Sequence, residues 1–322
     1  MTSSTTAKTQ SKDSVKDRVS PEEWKQRVNL AAAYRLVAHF GWDDLIFTHI
    51  SARVPGPEHH FLINPFGMMF HEITASSLVK IDLDGNIVKP SNGYPVNKAG
   101  FTIHSAVHAH REDAMCVLHL HTVAGVAVSS QEQGLLPLNQ TAMILNGQIS
   151  YHDYEGIAFN LEERPRLVAD LGDKHAMILR NHGTLTLGIT VAEALVSMYF
   201  LERACAMQVA ALAGGSKLIL PPEPVQKVVE EQARQQHGYA EQLIWPTLMR
   251  LLDSKDTRGA MLKSEAERVV RRAMEETGAE FTEEQIEALC RMIPKIAATV
   301  VEEAFSNQGR GSGGGKGGFY AG

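Results

Sequence analysis

The sequence predicts an α/β layered domain built on a mainly antiparallel sheet, followed by a helical C-terminal extension. Three observations carry this reading. Short apolar runs that alternate with polar residues are interleaved with longer runs whose apolar positions recur at helical spacing. Asp84-Gly85 stands between two of the short runs, a hairpin signal that joins antiparallel neighbours. No Gly-rich phosphate loop links a strand to a helix, so the pattern is not that of a dinucleotide-binding fold.

Residues 1–19 are polar and rich in Ser, Thr and Lys, and are expected to be disordered. Order is expected from Ser20-Pro21-Glu22-Glu23: Ser20 can cap a helix, Pro21 suits its first turn and Glu23 completes a capping box. Val28, Leu30, Ala31, Tyr34, Leu36, Val37 and Phe40 then give one apolar face, and Gly41 ends the helix. Strands are expected from Leu45 to Val54, at Phe61-Leu62-Ile63, and over Val79–Leu83 returning at Ile87-Val88. A helix from Ala99 to His110 precedes a buried strand, Ala114 to His121, and another helix starts near Val123. Ile149–His152, Ala176–Leu179 and Thr184–Leu187 read as further strands, with helices at Glu162–Leu171 and Val191–Ala213, the last ended by Gly214-Gly215.

Beyond Pro221-Pro222 the pattern is helical. Residues 20–255 form the expected domain and 256–305 a helical appendage, entered through the polar stretch from Asp253 to Gly259. Capping boxes at Ser264/Glu267 and Thr282/Gln285 open its helices, and Ile286, Leu289, Ile293 and Val300 form an apolar stripe suited to extra packing between subunits or, alternatively, to docking a protein partner. Residues 306–322 read as a flexible Gly-rich tail.

Composition narrows the function classes. With 322 residues, 44% hydrophobic and 21% charged, the chain can bury a full core without disulfides. Its net charge of −6 argues against nucleic-acid binding. Three scattered cysteines, Cys116, Cys205 and Cys290, suit a reducing compartment. No apolar run approaches the ~20 residues of a membrane span, and no secretory leader opens the chain, so a cytoplasmic location is expected.

Histidine is the informative residue, with 14 copies. In His119-Leu120-His121, at the end of an apolar strand, side chains two apart share a face, which presents two imidazoles side by side. His182 follows another apolar run and precedes Gly183, where the backbone can turn sharply. Such a set fits a metal ion, or imidazoles paired with carboxylates or carbonyls.

Several motifs in order resemble the class II aldolase/adducin family. They are Phe47-Thr48-His49-Ile50-Ser51-Ala52-Arg53, Phe61–Gly67, Ile73–Leu78, Gly100–Val107, Val117–Thr122, Tyr151–Gly156 and Leu179–Gly183. The likeness spans about Glu22 to Gly215 and is nearest to the adducin-head-like branch. It implies a three-layer α/β/α sandwich, a homotetramer, and a divalent metal (zinc foremost, with iron or manganese as alternatives) on His119, His121 and His182. It also implies a small-molecule carbonyl substrate, with His49, Ser51, Gly67 and Lys98 as candidate substrate contacts and His104, His152 and Tyr154 as candidate catalytic groups.

The chain departs from the family's catalytic pattern at His49, where the family's Asn falls, and just before the helix expected from Ala99. The acid/base Glu of the aldolases falls on Gly100, and the phosphate-binding serines fall on Lys98 and Ala99. Carbon–carbon cleavage beside a carbonyl needs a group to move a proton. The reading is therefore a metal-dependent lyase, aldolase- or decarboxylase-like, acting on a small carbonyl or hydroxy-acid substrate. A non-catalytic adducin-like interaction module with a residual metal site, and a non-haem iron oxygenase, are the alternatives.

Overall fold

The computed structural model describes residues 14–88, 93–158, 160–235 and 238–254, with positions 270, 271, 274, 281, 282, 285, 286 and 289 beyond them. The chain divides into two compact units, Met1–Met249 and Arg250–Gly322. The boundary falls a few residues before the expected linker.

In the first unit, helix α1 (Pro21–Phe40) begins as the capping signal predicts: the Ser20 side chain accepts from the Glu23 amide, and Gly41 closes the helix at φ 70. The Glu23 carboxylate does not turn back to the cap. It accepts from Arg27 at 2.9 Å and Lys80 at 2.8 Å, tying α1 to the third strand. Ahead of α1, a 3-10 turn at Val15–Arg18 lies within the segment expected to be disordered, so order begins earlier than residue 20. Residues 1–13 lie outside the described residues.

The strands are β1 (His49–Arg53), β2 (Phe61–Ile63), β3 (Val79–Ile81), β4 (Cys116–Leu120), β5 (Ile149–His152), β6 (Ala176–Leu179) and β7 (Gly183–Gly188). They form a seven-stranded sheet in the order β3-β2-β1-β4-β7-β6-β5. All neighbours are antiparallel except β5 and β6. The Asp84-Gly85 turn forms: the Gly85 amide donates to Asp82 and Ile87 bridges back to Ile81. β1 is shorter than expected, because Leu45 (φ 50) and Thr48 (φ 66) adopt left-handed backbone conformations that no strand can hold.

Helices cover both faces. α2 (Lys98–His110) and α5 (Arg164–Leu171) pack together on one side, where Ile103, Val107, Val117, Leu167, Met177, Leu185 and Leu187 share a core. On the other side lie α1, α3 (Val123–Ser129), α4 (Gln140–Ile144) and α6 (Val191–Ala213), with α7 (Glu223–Arg234) against α4. The result is the expected three-layer sandwich around a mainly antiparallel sheet. α4 escaped the sequence reading because a five-residue helix carries too little periodicity to register.

α6 requires a correction. By length and composition it is apolar enough to cross a bilayer, contrary to the sequence reading. Its apolar side is the domain core: Leu195, Met198, Leu201 and Cys205 are buried, together with Glu202 and Gln208. The Glu202 carboxylate accepts from Thr122, and Gln208 bonds Gln131 and Gly134, so its buried polar groups are satisfied by the sandwich.

In the second unit, Val270 and Ile286 are buried against Met274 and Leu289. The Thr282 capping box is present in both directions, Thr282 amide to Gln285 at 2.9 Å and Gln285 amide to Thr282 at 3.3 Å. The expected box at Ser264, the outer stripe positions Ile293 and Val300, Cys290 and the Gly-rich tail all lie outside the described residues.

Candidate metal centre and pocket

The site grows from one register. β1 pairs with β4 so that His49 lies opposite His119. Val117 belongs to the core beneath α2, and His119, two residues on, emerges on the same face. The rings of His49 and His119 stack with centroids 6.0 Å apart. β1 is held in place by Tyr34 of α1, whose buried hydroxyl accepts from the Ile50 amide at 2.7 Å and also bonds Asn64.

His121 follows β4 directly, before Thr122 caps α3. His182 precedes β7, in the turn from β6. The rings of His119, His121 and His182 lie at 4.8 Å centroid spacing from one another. One ligand atom from each falls within 4.8 Å of the others. Among the described residues this is the group of metal-ligating side chains with that convergence.

Hydrogen bonds decide which nitrogen each ring offers. A carbonyl or carboxylate only accepts, so the ring nitrogen facing it carries the proton. His119 Nδ1 donates to the Thr184 carbonyl at 3.0 Å, and His121 Nδ1 donates to Asp44 at 3.1 Å. The nitrogens left over, both Nε2, stand 3.0 Å apart. Two imidazoles sharing one tetrahedral zinc at ~2.0–2.1 Å stand roughly 3.3 Å apart, so this spacing fits a common ion. Burial, and then the neighbouring imidazoles His182 and His121, hold His119 well below the usual histidine range. Burial and His121 lower His182 to about 4. Both rings are therefore neutral at physiological pH, the form that ligates metal.

Gly183 serves this cluster in a different way from the one expected. The sharp turn is taken by Asn181, at φ 54. Gly183 is required for close approach: a Cβ there would lie 2.4 Å from the Leu120 carbonyl, 3.1 Å from the His121 ring and 3.3 Å from the His119 ring. Arg180, two residues before His182, lies over the Tyr151 ring at 4.3 Å.

The cluster opens into a pocket of about 410 Å³. Phe47, Phe66, Ile103, Ile157 and Ala158 give it apolar walls, and Thr48, His49, Asn97 and Tyr154 add polar atoms. No Asp or Glu is among the described lining residues. Tyr154 is half-exposed, its ring 6.3 Å from that of His182.

The remaining sequence candidates separate. His49 lines the pocket, its Nε2 3.1 Å from the Asn97 amide nitrogen. Burial, then His121 and His182, lower it to about 3, so it is a neutral ring and not a partner for a substrate carboxylate. Ser51 and His104 are fully buried and bonded to each other at 2.6 Å, behind the pocket wall. Gly67 stands next to the lining residue Phe66 at φ 112, and Lys98 is the first residue of α2, next to the lining residue Asn97. His152, at the end of β5, is absent from the pocket lining. Both its nitrogens are taken by carboxylates, Asp170 at 2.7 Å and Glu163 at 3.2 Å, which leaves no nitrogen to carry a substrate proton. Sequence reasoning missed Asp44, Asn97, Phe66 and Ile157. Asp44 lies 77 residues from the histidine it orients, so no local pattern marks it.

A three-layer sandwich with three converging imidazoles at the mouth of an apolar pocket defines a class of protein suited to holding a divalent cation beside a small molecule. The chain belongs to the class II aldolase and adducin family: the profile of the Class II Aldolase and Adducin N-terminal domain matches residues 28–209. A protein of Caulobacter vibrioides, provisionally named an aldolase class 2 protein, is 61% identical over 241 residues, covering 74% of this chain and 93% of its own. Alpha-adducin of Rattus norvegicus is 48% identical over 199 residues, 60% of this chain but 27% of adducin. Among solved structures, an aldolase II superfamily protein from Pseudomonas syringae superposes with TM-score 0.72 at 55% identity, covering 75% of this chain and 97% of that one. L-fuculose 1-phosphate aldolase from Glaciozyma antarctica PI12 gives TM-score 0.65 at 28% identity, covering 74% and 92%.

Proposed function

We propose that this protein is a metal-dependent lyase acting on a small, unphosphorylated carbonyl or hydroxy-acid substrate. One observation carries the reading: His119 and His121 have their Nδ1 atoms committed to Thr184 and Asp44, which turns their Nε2 atoms toward one point beside His182. A divalent ion bound there supplies Lewis-acid polarisation of a substrate carbonyl. The chain's own residues do the rest. Asp44 and the Thr184 carbonyl hold the ligand rings in orientation, as carboxylates and carbonyls do around metal-binding histidines. Phe47, Phe66, Ile157 and Ala158 give the pocket apolar walls, which strengthen electrostatic contacts on a substrate that covers them. Asn97 and Tyr154 offer hydrogen bonds to substrate oxygens. The likeness to a fuculose-phosphate aldolase supports lyase chemistry in general. The substrate proposed here differs from that of the aldolase because Lys98, Ala99 and Gly100 stand where the family's phosphate and acid/base groups do.

A second reading has its own support. The match to alpha-adducin and the lack of a carboxylate among the described lining residues favour an interaction module that keeps the metal site without turnover. Assembly as a homotetramer belongs to both readings and is checked by sedimentation. Metal analysis of protein purified without added metal, followed by a carbonyl-compound screen with and without oxygen, separates the functions. Zinc or manganese with carbon–carbon or decarboxylative cleavage supports the lyase. Iron with oxygen uptake identifies an oxygenase. A loaded site with no turnover supports the adducin-like module, and efficient turnover of sugar phosphates would overturn the proposed substrate class.

A further inference from the structure

Behind His49 runs a chain of buried polar groups whose hydrogen-bond directions can be worked out from one end. His108 Nδ1 lies 2.9 Å from the Ala114 carbonyl, so it must carry a proton and donate. His108 is fully buried and neutral, so its Nε2 is a bare acceptor, and the Ser51 hydroxyl 2.7 Å away donates to it. With its one proton used, Ser51 can only accept from His104 Nδ1 at 2.6 Å. His104 therefore has its proton on Nδ1 and a lone pair on Nε2. That Nε2 is buried and has no hydrogen-bond partner.

The same bookkeeping applies to His49 from the pocket side. The Asn97 amide nitrogen can only donate, so His49 Nε2 is an acceptor and the proton resides on Nδ1. His49 Nδ1 is also buried and unpartnered. The two orphan atoms are complementary, a donor on His49 and an acceptor on His104. They belong to rings that meet edge to face at 5.4 Å between centroids. Gly100 admits this arrangement: a Cβ there would lie 2.4 Å from the His49 ring. The imidazole occupies the space that any side chain at position 100 would need.

We propose that Ser51 and His108 are positioning residues that set the tautomer of His104, and that the bare His104 Nε2 beside the His49 ring, together with the Asn97 amide on its other side, favours the Nδ1–H tautomer of His49 with its Nε2 lone pair turned to the pocket. His49 Nε2 then accepts a hydrogen bond from a substrate hydroxyl, which takes the place of the Asn97 amide. An acceptor nitrogen repels carboxylate or phosphate oxygens at that point, so the pocket selects a hydroxyl there. The tautomer assignment stands independently of the lyase reading, while the choice of a hydroxylated substrate rests on it.

Ring-15N-labelled histidine in the full chain reports tautomers directly by NMR, with each signal assigned from a single His→Gln variant. In the wild type, His49, His104 and His108 are all expected as Nδ1–H. Ser51→Ala should move His104 away from pure Nδ1–H while leaving His108 unchanged, because the Ala114 carbonyl still holds the His108 proton. Ser51→Thr, which keeps the hydroxyl, should restore the wild-type pattern. A general disturbance of the core would move both rings and would overturn the proposal. So would His104 or His49 found as Nε2–H in the wild type, a measurement that needs no Ser51 variant. The ring shifts read the tautomers with or without metal, so a failure to bind metal would count against the metal centre alone.

Discussion

Two groups of histidines lie back to back in this domain, and they use the same side chain in opposite ways. In His119, His121 and His182 one nitrogen of at least two rings is tied down, and the free nitrogens are turned toward each other. In His104 and His108 the bonds run along the chain, ring to hydroxyl to ring, and end on a backbone carbonyl. The first arrangement concentrates acceptors at one point, which is costly unless a cation occupies it. The second spreads donors and acceptors so that each but the last is paired. His49 belongs to both, stacked on His119 and edge-on to His104. Histidine count alone therefore says little: His119 and His108 both give Nδ1 to a backbone carbonyl, and it is what faces Nε2, another imidazole or the Ser51 hydroxyl, that decides whether a ring is offered to a ligand or absorbed by the core.

The sharpest way to break this contrast is to remove the converging nitrogens. The double change His119→Ala and His121→Ala should abolish stoichiometric binding of zinc, measured by elemental analysis after dialysis. His104→Gln should leave binding stoichiometric.

Acid should act on both groups, with a sign set by burial. His49 and His108 are each lowered to about 3 and His182 to about 4, chiefly by burial, so the unfolded chain binds protons that the folded chain refuses. Stability is then fully present above the unfolded histidine value near 6.5. It falls as pH drops from there toward the folded values, by about 1.4 kcal/mol per pH unit for each fully buried ring. Urea unfolding of metal-free protein between pH 7 and pH 5 measures this. A flat profile would mean that these rings are solvated in solution.

Asp44 sharpens the comparison on the metal side. Asp44→Ala removes the acceptor of His121 Nδ1 and should weaken metal affinity about 10–100-fold with the fold intact, as loss of such supporting partners does. A competition titration with a chelator reads it. An unchanged affinity would show that the Asp44 contact does not orient the ring.

The smallest expected effect tests the seam between the groups. Gly100→Ala places a methyl into the His49 ring and should cost about 1–3 kcal/mol of overpacking, set against about 1 kcal/mol of helix propensity gained. Chemical denaturation gives the net, and histidine NMR should show His49 shifted while His108 stays in place.

The elements were largely legible in the sequence. Ser20 and Gly41 bound α1, Asp84-Gly85 turns the hairpin, and the apolar run before His119 is β4, because caps, turns and alternation are local and each is written within a few residues. The His119 and His121 pair was legible for the same reason, since residues two apart in an extended chain share a face. His182 was legible from the apolar run before it and the glycine after it, and the resemblance to the family joined it to the pair. What only the tertiary structure decided is which groups meet across the sheet: Asp44 on His121, Asn97 on His49, and His152 drawn away between Asp170 and Glu163. It also decided that Gly183 is bare for the Leu120 carbonyl and the flanking rings and not for a turn, and that Gly100 is bare for the His49 ring. The physical reason is that a hydrogen bond or a steric contact depends on distance in space, which strand register sets. Local sequence patterns reach only a few residues, whereas the register of β1 on β4 brings together groups separated by 70 positions, as it does His49 and His119.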